Sequence, residues 1–296
     1  MFEKFKAKIL VEKLLGRPDI DKAYAMVDPS DSWYDTITKV HHSLSEIRTL
    51  PHQALQLTSH DGLVLQGIYY PCEHNGNRAV TVICVHGYTS HAEREWAFPG
   101  LFYHSLGYNV LIPYQRAHGP SEGNYITFGA LEHRDMMGWI DLINQMTPNG
   151  SIILHGLSMG GGIVLDLCDK DCPGVRALIT DAPSTSIRDF FGNVSCEVFK
   201  KDGARVAAHA LNIFKQKFGV DASDFEASEQ IKHCKYPLLL AAGSEEKREE
   251  SFLALKASNP STTEIVILSG CNHGNGMYKQ TEAYQSAIKD FLSRHI

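Results

Sequence analysis

The sequence predicts an α/β protein: a mostly parallel sheet of eight strands flanked by helices, with a helical cap inserted after the sixth strand. Three observations predict it. From about residue 55 onward, short apolar runs alternate with helical stretches. The central runs are apolar in succession (Val80, Val82, Ile83, Val85; Ile152, Ile153, Leu154; Leu238, Leu239, Leu240), the pattern of strands buried on both faces. Strands that alternate with helices need crossover connections, which build parallel sheets.

The strands are expected at Leu55–Ser59, Leu63–Tyr70, Ala79–Val85, Tyr108–Pro113, Ser151–His155, Ala177–Thr180, Pro237–Ala242 and Glu264–Leu268. The first two flank Ser59-His60-Asp61-Gly62, and Asp-Gly is a hairpin turn signal, so that pair is read as antiparallel. Helices are expected at Ala130–Gln145, where Met136, Met137, Trp139, Ile140 and Ile143 form a stripe, and at Gly160–Lys170 and Tyr278–Arg294. Between Pro183 and Tyr236 the strand rhythm stops. Asp189–Phe199, Gly203–Phe218 and Ser228–Cys234 read as helices there, and a lid over a site is one reading. The resulting division is an N-terminal helical extension at 1–54, a core at 55–183 and 236–296, and a cap at 184–235.

The chain has 296 residues, a net charge of −6 and 43% hydrophobic residues, which suits a globular core and excludes disorder as the main state. Mild acidity argues against a nucleic-acid binder, which needs a basic face. Seven scattered cysteines with no C-x-x-C pair read as reduced thiols of a cytoplasmic protein. Cys168 and Cys172, four apart, make only two ligands and no zinc site. Met1–Leu15 alternates Phe2, Phe5, Ile9 and Leu10 with lysines, so it lacks the unbroken apolar core of a secretory signal. It reads as an amphipathic helix packed on its own domain, with transient membrane contact the lesser reading and no stable membrane insertion expected.

The chemistry centres on Gly156-Leu157-Ser158-Met159-Gly160, which fits G-x-S-x-G between a strand and a helix. A chain that reverses within one or two residues lifts the Ser158 hydroxyl clear of the sheet. The Met159 N–H then sits at a helix N-terminus, aimed at developing negative charge. A serine hydroxyl needs a general base. Of the 15 histidines, His86, His118, His155 and His273 fall at strand ends. His155 lies on the strand and points into packing. His273, in Gly270-Cys271-Asn272-His273-Gly274-Asn275-Gly276, sits on a small-residue loop that can swing it over the site. An acid must hold the tautomer of that base. Glu246, three residues after Gly243, is favoured, with Glu245 and Asp181 as alternatives. The second oxyanion donor is expected from His86-Gly87-Tyr88-Thr89-Ser90, as the Tyr88 N–H.

Over residues 55 to 296 these features resemble the α/β-hydrolase superfamily, whose nucleophile–acid–histidine order Ser158, Glu246 and His273 follow. Tyr114–Gly123 resembles the family's R-x-x-G-x-S-x-G loop, which is structural, so its residues receive no chemistry. The hairpin Leu55–Pro71, the turn His86–Ser90 and the run Tyr125–Gly129 resemble a bacterial subgroup described as esterase- or peptidase-like. The family's usual aspartate is here a glutamate, Glu246. The resemblance implies a serine hydrolase acting on a small acyl substrate with no metal or organic cofactor. A carboxylesterase is favoured over a peptidase, amidase or thioesterase on the same residues. An acyltransferase and a non-catalytic binding module are further alternatives. Phe190, Phe191, Phe199 and Phe214 are candidates for an apolar acyl pocket, although burial against the body suits each of them better. Trp33, Tyr34, His41 and His42 are candidates for a homodimer contact or for covering the body.

Overall fold

In a computed structural model, which describes residues 2–73 and 79–296, the eight expected strands form one sheet. They are β1 (Gln53–Thr58), β2 (Val64–Tyr70), β3 (Val80–Val85), β4 (Asn109–Pro113), β5 (Ser151–Leu157), β6 (Val175–Asp181), β7 (Leu238–Gly243) and β8 (Thr263–Leu268). Their spatial order is β1-β2-β4-β3-β5-β6-β7-β8. β1 and β2 form the expected antiparallel hairpin, and β2 also runs antiparallel to β4. Every pair from β4 across to β8 is parallel. The carboxyl ends of β3, β5, β6, β7 and β8 therefore open on one rim, where ligands of such sheets bind.

Helices cover both faces. They are α1 (Phe2–Leu15), α2 (Tyr34–Ile47), α3 (Ala92–Ser105), α4 (Glu132–Met146), α5 (Met159–Asp166), α6 (Ile187–Phe199), α7 (Gly203–Phe218), α8 (Ala227–Lys232), α9 (Glu249–Ser258), α10 (Gly276–Lys279) and α11 (Thr281–His295). One apolar layer joins α1, α4, α5, α7 and α9 to the sheet through residues such as Leu10, Trp139, Ile163, Phe214 and Phe252. The other joins α2, α3 and α11 through Ile47, Trp96 and Phe291. The buried strands β3, β4 and β7 show every residue inaccessible, as a sheet covered on both faces requires.

Two helices go beyond the sequence reading. α3 carries Pro99 in its interior and buries Glu93 and Glu95, so it shows no clean apolar stripe. α9 follows the charged run after Glu246, which gives little hint of a buried face. α5 ends at Asp166, earlier than the expected Lys170.

The N-terminal residues wrap the body. α1 buries Ala7, Leu10, Val11 and Leu15 and packs on α7, while Phe2, Phe5 and Ile9 stay exposed on its opposite side. Met1, expected in that helix, lies outside the described residues. The segment between α1 and α2 is irregular and runs along the sheet's open rim. Among the described residues, no helix is long and apolar enough to cross a membrane. All seven cysteines are free thiols.

Candidate active site

Ser158 sits at the bend between β5 and α5 with φ +56° and ψ −115°, a region that costs a non-glycine residue about 1–3 kcal/mol. The bend needs its glycines. A Cβ on Gly160 would lie 2.6 Å from the His86 carbonyl and closer still to that of Val85; one on Gly156 would collide with the carbonyl of Gly160. Two backbone bonds fix the bend: the Ser158 N–H donates to the Asp181 carbonyl at 2.8 Å, and the Gly162 N–H donates to Ser158 O at 3.0 Å.

His273 comes from the loop after β8, held in part by the Asn272 N–H donating to Asn275 Oδ1 at 2.8 Å. Its Nε2 lies 2.9 Å from Ser158 Oγ, and its Nδ1 lies 2.8 Å from Glu246 Oε2. Glu246 ends a single 3-10 turn at Ser244–Glu246, directly after β7. Its other oxygen, Oε1, accepts the Gly243 N–H at 3.0 Å. A carboxylate accepts only, so the imidazole proton sits on Nδ1 and Nε2 is left to accept from the serine hydroxyl.

The electrostatics agree with that assignment. The hydrogen bond that it donates to Glu246 raises His273 above its ordinary value, against burial, which lowers it. Burial pushes Glu246 up, but the bonds from His273 and the Gly243 N–H outweigh it and hold the carboxyl below its ordinary range.

The two alternative acids lie elsewhere. Asp181 is buried at the end of β6, where burial and the nearby Glu246 charge push it up to about 7. Its carbonyl holds the Ser158 N–H, and no hydrogen bond joins its side chain to His273 among the described residues. Glu245 points to solvent, where its carboxylate accepts from Ser244 Oγ at 3.2 Å. Adjacent residues on a turn point in different directions, and only the turn geometry separates them.

Met159 follows Ser158 as the first residue of α5, and Tyr88, on the loop after β3, lines the same cleft as Ser158. Among the described residues, neither N–H donates to a protein acceptor. The Tyr88 side chain donates to the Leu14 carbonyl at 2.7 Å and stacks on Phe128 with ring centres 4.9 Å apart.

Sequence reading did not single out Glu95. This α3 side chain lies beneath the loop, where Oε1 accepts the Gly87 N–H at 2.8 Å and Oε2 accepts the Tyr24 hydroxyl at 3.2 Å. Burial pushes it up to about 7. The only sequence signal is a glutamate five residues after the loop His86–Ser90, which carries no pattern.

The remaining histidines at strand ends serve packing. His155 is buried between Tyr103 and Tyr284, with Nδ1 2.7 Å from the Tyr103 hydroxyl. His86 accepts the Gln115 N–H at 3.1 Å and packs edge-on against His118. Arg116, on the loop after β4, is buried between Asp135 and Asp61 and ties the β1–β2 turn to α4. His60, Asp61 and Asp135 have metal-ligand spacing, but the Arg116 guanidinium already supplies the positive charge between those carboxylates.

A cleft of about 710 Å³ opens over Ser158 and His273. Its walls include Tyr88, Leu157 and Glu95, and also Tyr24, Trp33 and Ile37 from the N-terminal segment. None of the four phenylalanines considered for an acyl pocket borders it. Phe191 and Phe214 are wholly buried against each other, Phe199 lies under Lys6, and Phe190 packs on Phe128 and Tyr88. The apolar faces of α6 and α7 are spent on their mutual packing and on α1, which leaves none over the cleft.

The fold and this rim define an α/β-hydrolase. The family model described as serine aminopeptidase, S33, matches residues 76–227, just over half of the chain, and the chain belongs to this family of α/β-hydrolases. Among solved structures it is similar to the Pyrococcus furiosus esterase Pf2001, at 21% identity over 94% of this chain and 99% of that one, with a TM-score of 0.65. It is also similar to an α/β-hydrolase from Vibrio vulnificus, at 20% identity over 98% and 93% of the two chains, with a TM-score of 0.64. A Pyrococcus horikoshii acylaminoacyl peptidase matches at 18% identity over 82% of this chain and 41% of that one, with a TM-score of 0.59. At these identities the likeness is one of fold. A curated relative, the uncharacterized protein YqkD of Bacillus subtilis (strain 168), is 34% identical over 105 residues. That match spans 35% of this chain and 34% of the relative's length.

Proposed function

We propose that the protein is a serine hydrolase that cleaves a carboxylic ester through an acyl-enzyme. Ser158 Oγ attacks the acyl carbon as His273 Nε2 takes its proton, and Glu246 holds the imidazole and its positive charge. The Met159 and Tyr88 N–H groups receive the oxyanion, and the protonated His273 delivers its proton to the leaving oxygen. His273 then draws a proton from water, which attacks the acyl carbon; the bond from that carbon to Ser158 Oγ breaks, Oγ takes the proton back from His273, and the acid leaves.

The observation that carries this reading is the continuous chain from Ser158 Oγ through the His273 ring to Glu246, with links of 2.9 and 2.8 Å. The strained backbone at Ser158 supports it, since strain of that kind persists where the surroundings impose it. The substrate is a small neutral molecule that fits an open cleft, and the chemistry requires no cofactor.

Ser158→Ala tests the reading. It is expected to abolish both fluorophosphonate labelling and p-nitrophenyl ester turnover while leaving the far-UV spectrum unchanged. Turnover equal to the parent's sinks the proposal. The family description and the peptidase neighbour favour a second reading, cleavage of an amide by the same groups. Aminoacyl arylamides hydrolysed faster than matched esters would establish it.

A further inference from the structure

The cleft over Ser158 is walled in large part by a segment that lies far from it in sequence. Ala23, Tyr24, Trp33 and Ile37 line it, with Asp19 and Lys22 at its rim. Between a 3-10 turn at Ile20–Lys22 and the start of α2 at Tyr34 that segment is irregular, yet it is tied down firmly. Arg94 Nη1 donates to the Asp21 and Ala23 carbonyls, each at 2.8 Å, and His41 Nε2 lies 2.9 Å from the Tyr24 carbonyl. Tyr24 itself is held at φ +56°, a conformation that a tyrosine adopts only where its surroundings over-determine it. Its ring is thereby aimed at the site's floor, where its hydroxyl reaches Glu95, the carboxyl that also takes the Gly87 N–H. The wall and the oxyanion loop are thus set in register by one buried carboxyl.

Charge restricts what the wall receives. Glu95 is part of the lining, whereas Lys22, the lining's lysine, has a side chain that is 87% exposed and faces Asp19 at 3.7 Å. A carboxylate-bearing acyl group therefore finds no buried lysine or arginine to pair with among the described lining residues. Ser158 opens into the cleft that these residues wall, so the substituent of an acyl group carried on its Oγ lies in that cleft, with Tyr88 and the N-terminal wall about it.

We propose that residues 19–37 form the acyl-binding wall and that Trp33 sets the length of the uncharged, apolar acyl chain accepted. This inference rests on the serine-hydrolase reading above. It assigns to the N-terminal segment the selectivity that the sequence pattern suggested for the helices between β6 and β7.

The protein offers its own reporter. Of its three tryptophans, Trp96 and Trp139 are 2% and 1% exposed, so acrylamide quenching reads Trp33. The native protein is labelled at Ser158 with an octylphosphonofluoridate or with its methyl counterpart, in which the phosphorus substituent stands for the acyl chain. The octyl adduct is expected to reduce the quenching constant about threefold relative to the methyl adduct, since bound ligands shield most of the surface they touch. In a second arm, Trp33→Ala is expected to lower the ratio of kcat/KM for p-nitrophenyl octanoate over acetate about tenfold, the loss of a few buried methylene contacts. Equal quenching of the two adducts overturns the proposal, as does an unchanged ratio in a folded Trp33→Ala protein. If that variant does not fold, the quenching comparison on the native chain decides alone. Failure of both probes to label Ser158 sinks the hydrolase reading and the wall with it, an outcome distinct from labelling without shielding.

Discussion

Replacing Glu95 by glutamine should make the protein more stable at pH 8 and change little at pH 5. Burial moves this carboxyl from an ordinary 4.5 up to about 7. Between those values the native carboxyl keeps a proton that the unfolded one has released. Stability contributed by the neutral form is therefore fully present below 4.5 and is lost as pH rises through about 7. At 1.36 kcal/mol per pH unit the loss is on the order of 3 kcal/mol once the native group ionises. Glutamine keeps an oxygen for the Gly87 N–H, and its amide nitrogen donates to the Tyr24 hydroxyl, which turns from donor to acceptor. The groups facing Glu95 act in the same direction or stay neutral. Asp181, itself pushed up to about 7 partly by the Glu95 charge, is relieved by its removal, and Tyr24, Tyr278 and Cys84 remain protonated. His273 is the one neighbour that gains from the charge, and its main partner, Glu246, is untouched. Urea unfolding at the two pH values reads the effect as a midpoint shift of about 1 M at pH 8. A shift of equal size at both pH values would refute the reasoning, because it would trace the effect to packing or hydrogen bonds. A variant less stable at pH 8 would refute it outright.

Glu246→Gln is expected to cut kcat by about 10³ or more, since the amide no longer selects the Nδ1–H tautomer. The residual activity should rise with pH earlier than the parent's, because His273 loses the partner that raises it; an unmoved acid limb in the pH profile would count against Glu246 as that partner. Gly160→Ala should yield protein destabilised by about 3 kcal/mol or more, as its Cβ has no room between the Val85 and His86 carbonyls. Gly192→Ala on α6, where nothing lies within 4 Å of the added methyl, should instead raise stability by about 0.5–1 kcal/mol in the same thermal melts.

What could be read from the sequence follows from how local each constraint is. The bend at Ser158 is fixed by steric limits within five residues, so the glycines that satisfy them are visible as a pattern. The parallel strands show because burial on both faces leaves no polar alternation. The choice among Glu245, Glu246 and Asp181 stayed open because it turns on one 3-10 turn and on which carboxylate the Gly243 N–H holds, neither of which leaves a mark in composition. α3 was missed for a related reason. A helix that buries two glutamates and a proline along with its aromatics has no polar face to set the period.

The N-terminal segment was the least legible part, and it is the part that shapes the cleft. Its backbone is held by Arg94 and His41 and its Tyr24 hydroxyl by Glu95, partners that lie between 17 and 73 residues away along the chain. Its conformation is therefore a product of the finished fold rather than of its own residues. An α/β-hydrolase sheet fixes the reacting groups through short, local rules, and every sequence that keeps those rules announces them. The surface that meets the substrate is under no such restriction, because any segment that reaches the rim can supply it. In this chain α6 and α7 pack on each other, α7 packs on α1, and α8 packs on α5 and α9, so the rim is covered by another element. Tyr24 and Trp33 line it, and the bonds from Arg94 and His41 to the carbonyls of Asp21, Ala23 and Tyr24 hold the segment where Tyr24 takes its φ of +56°.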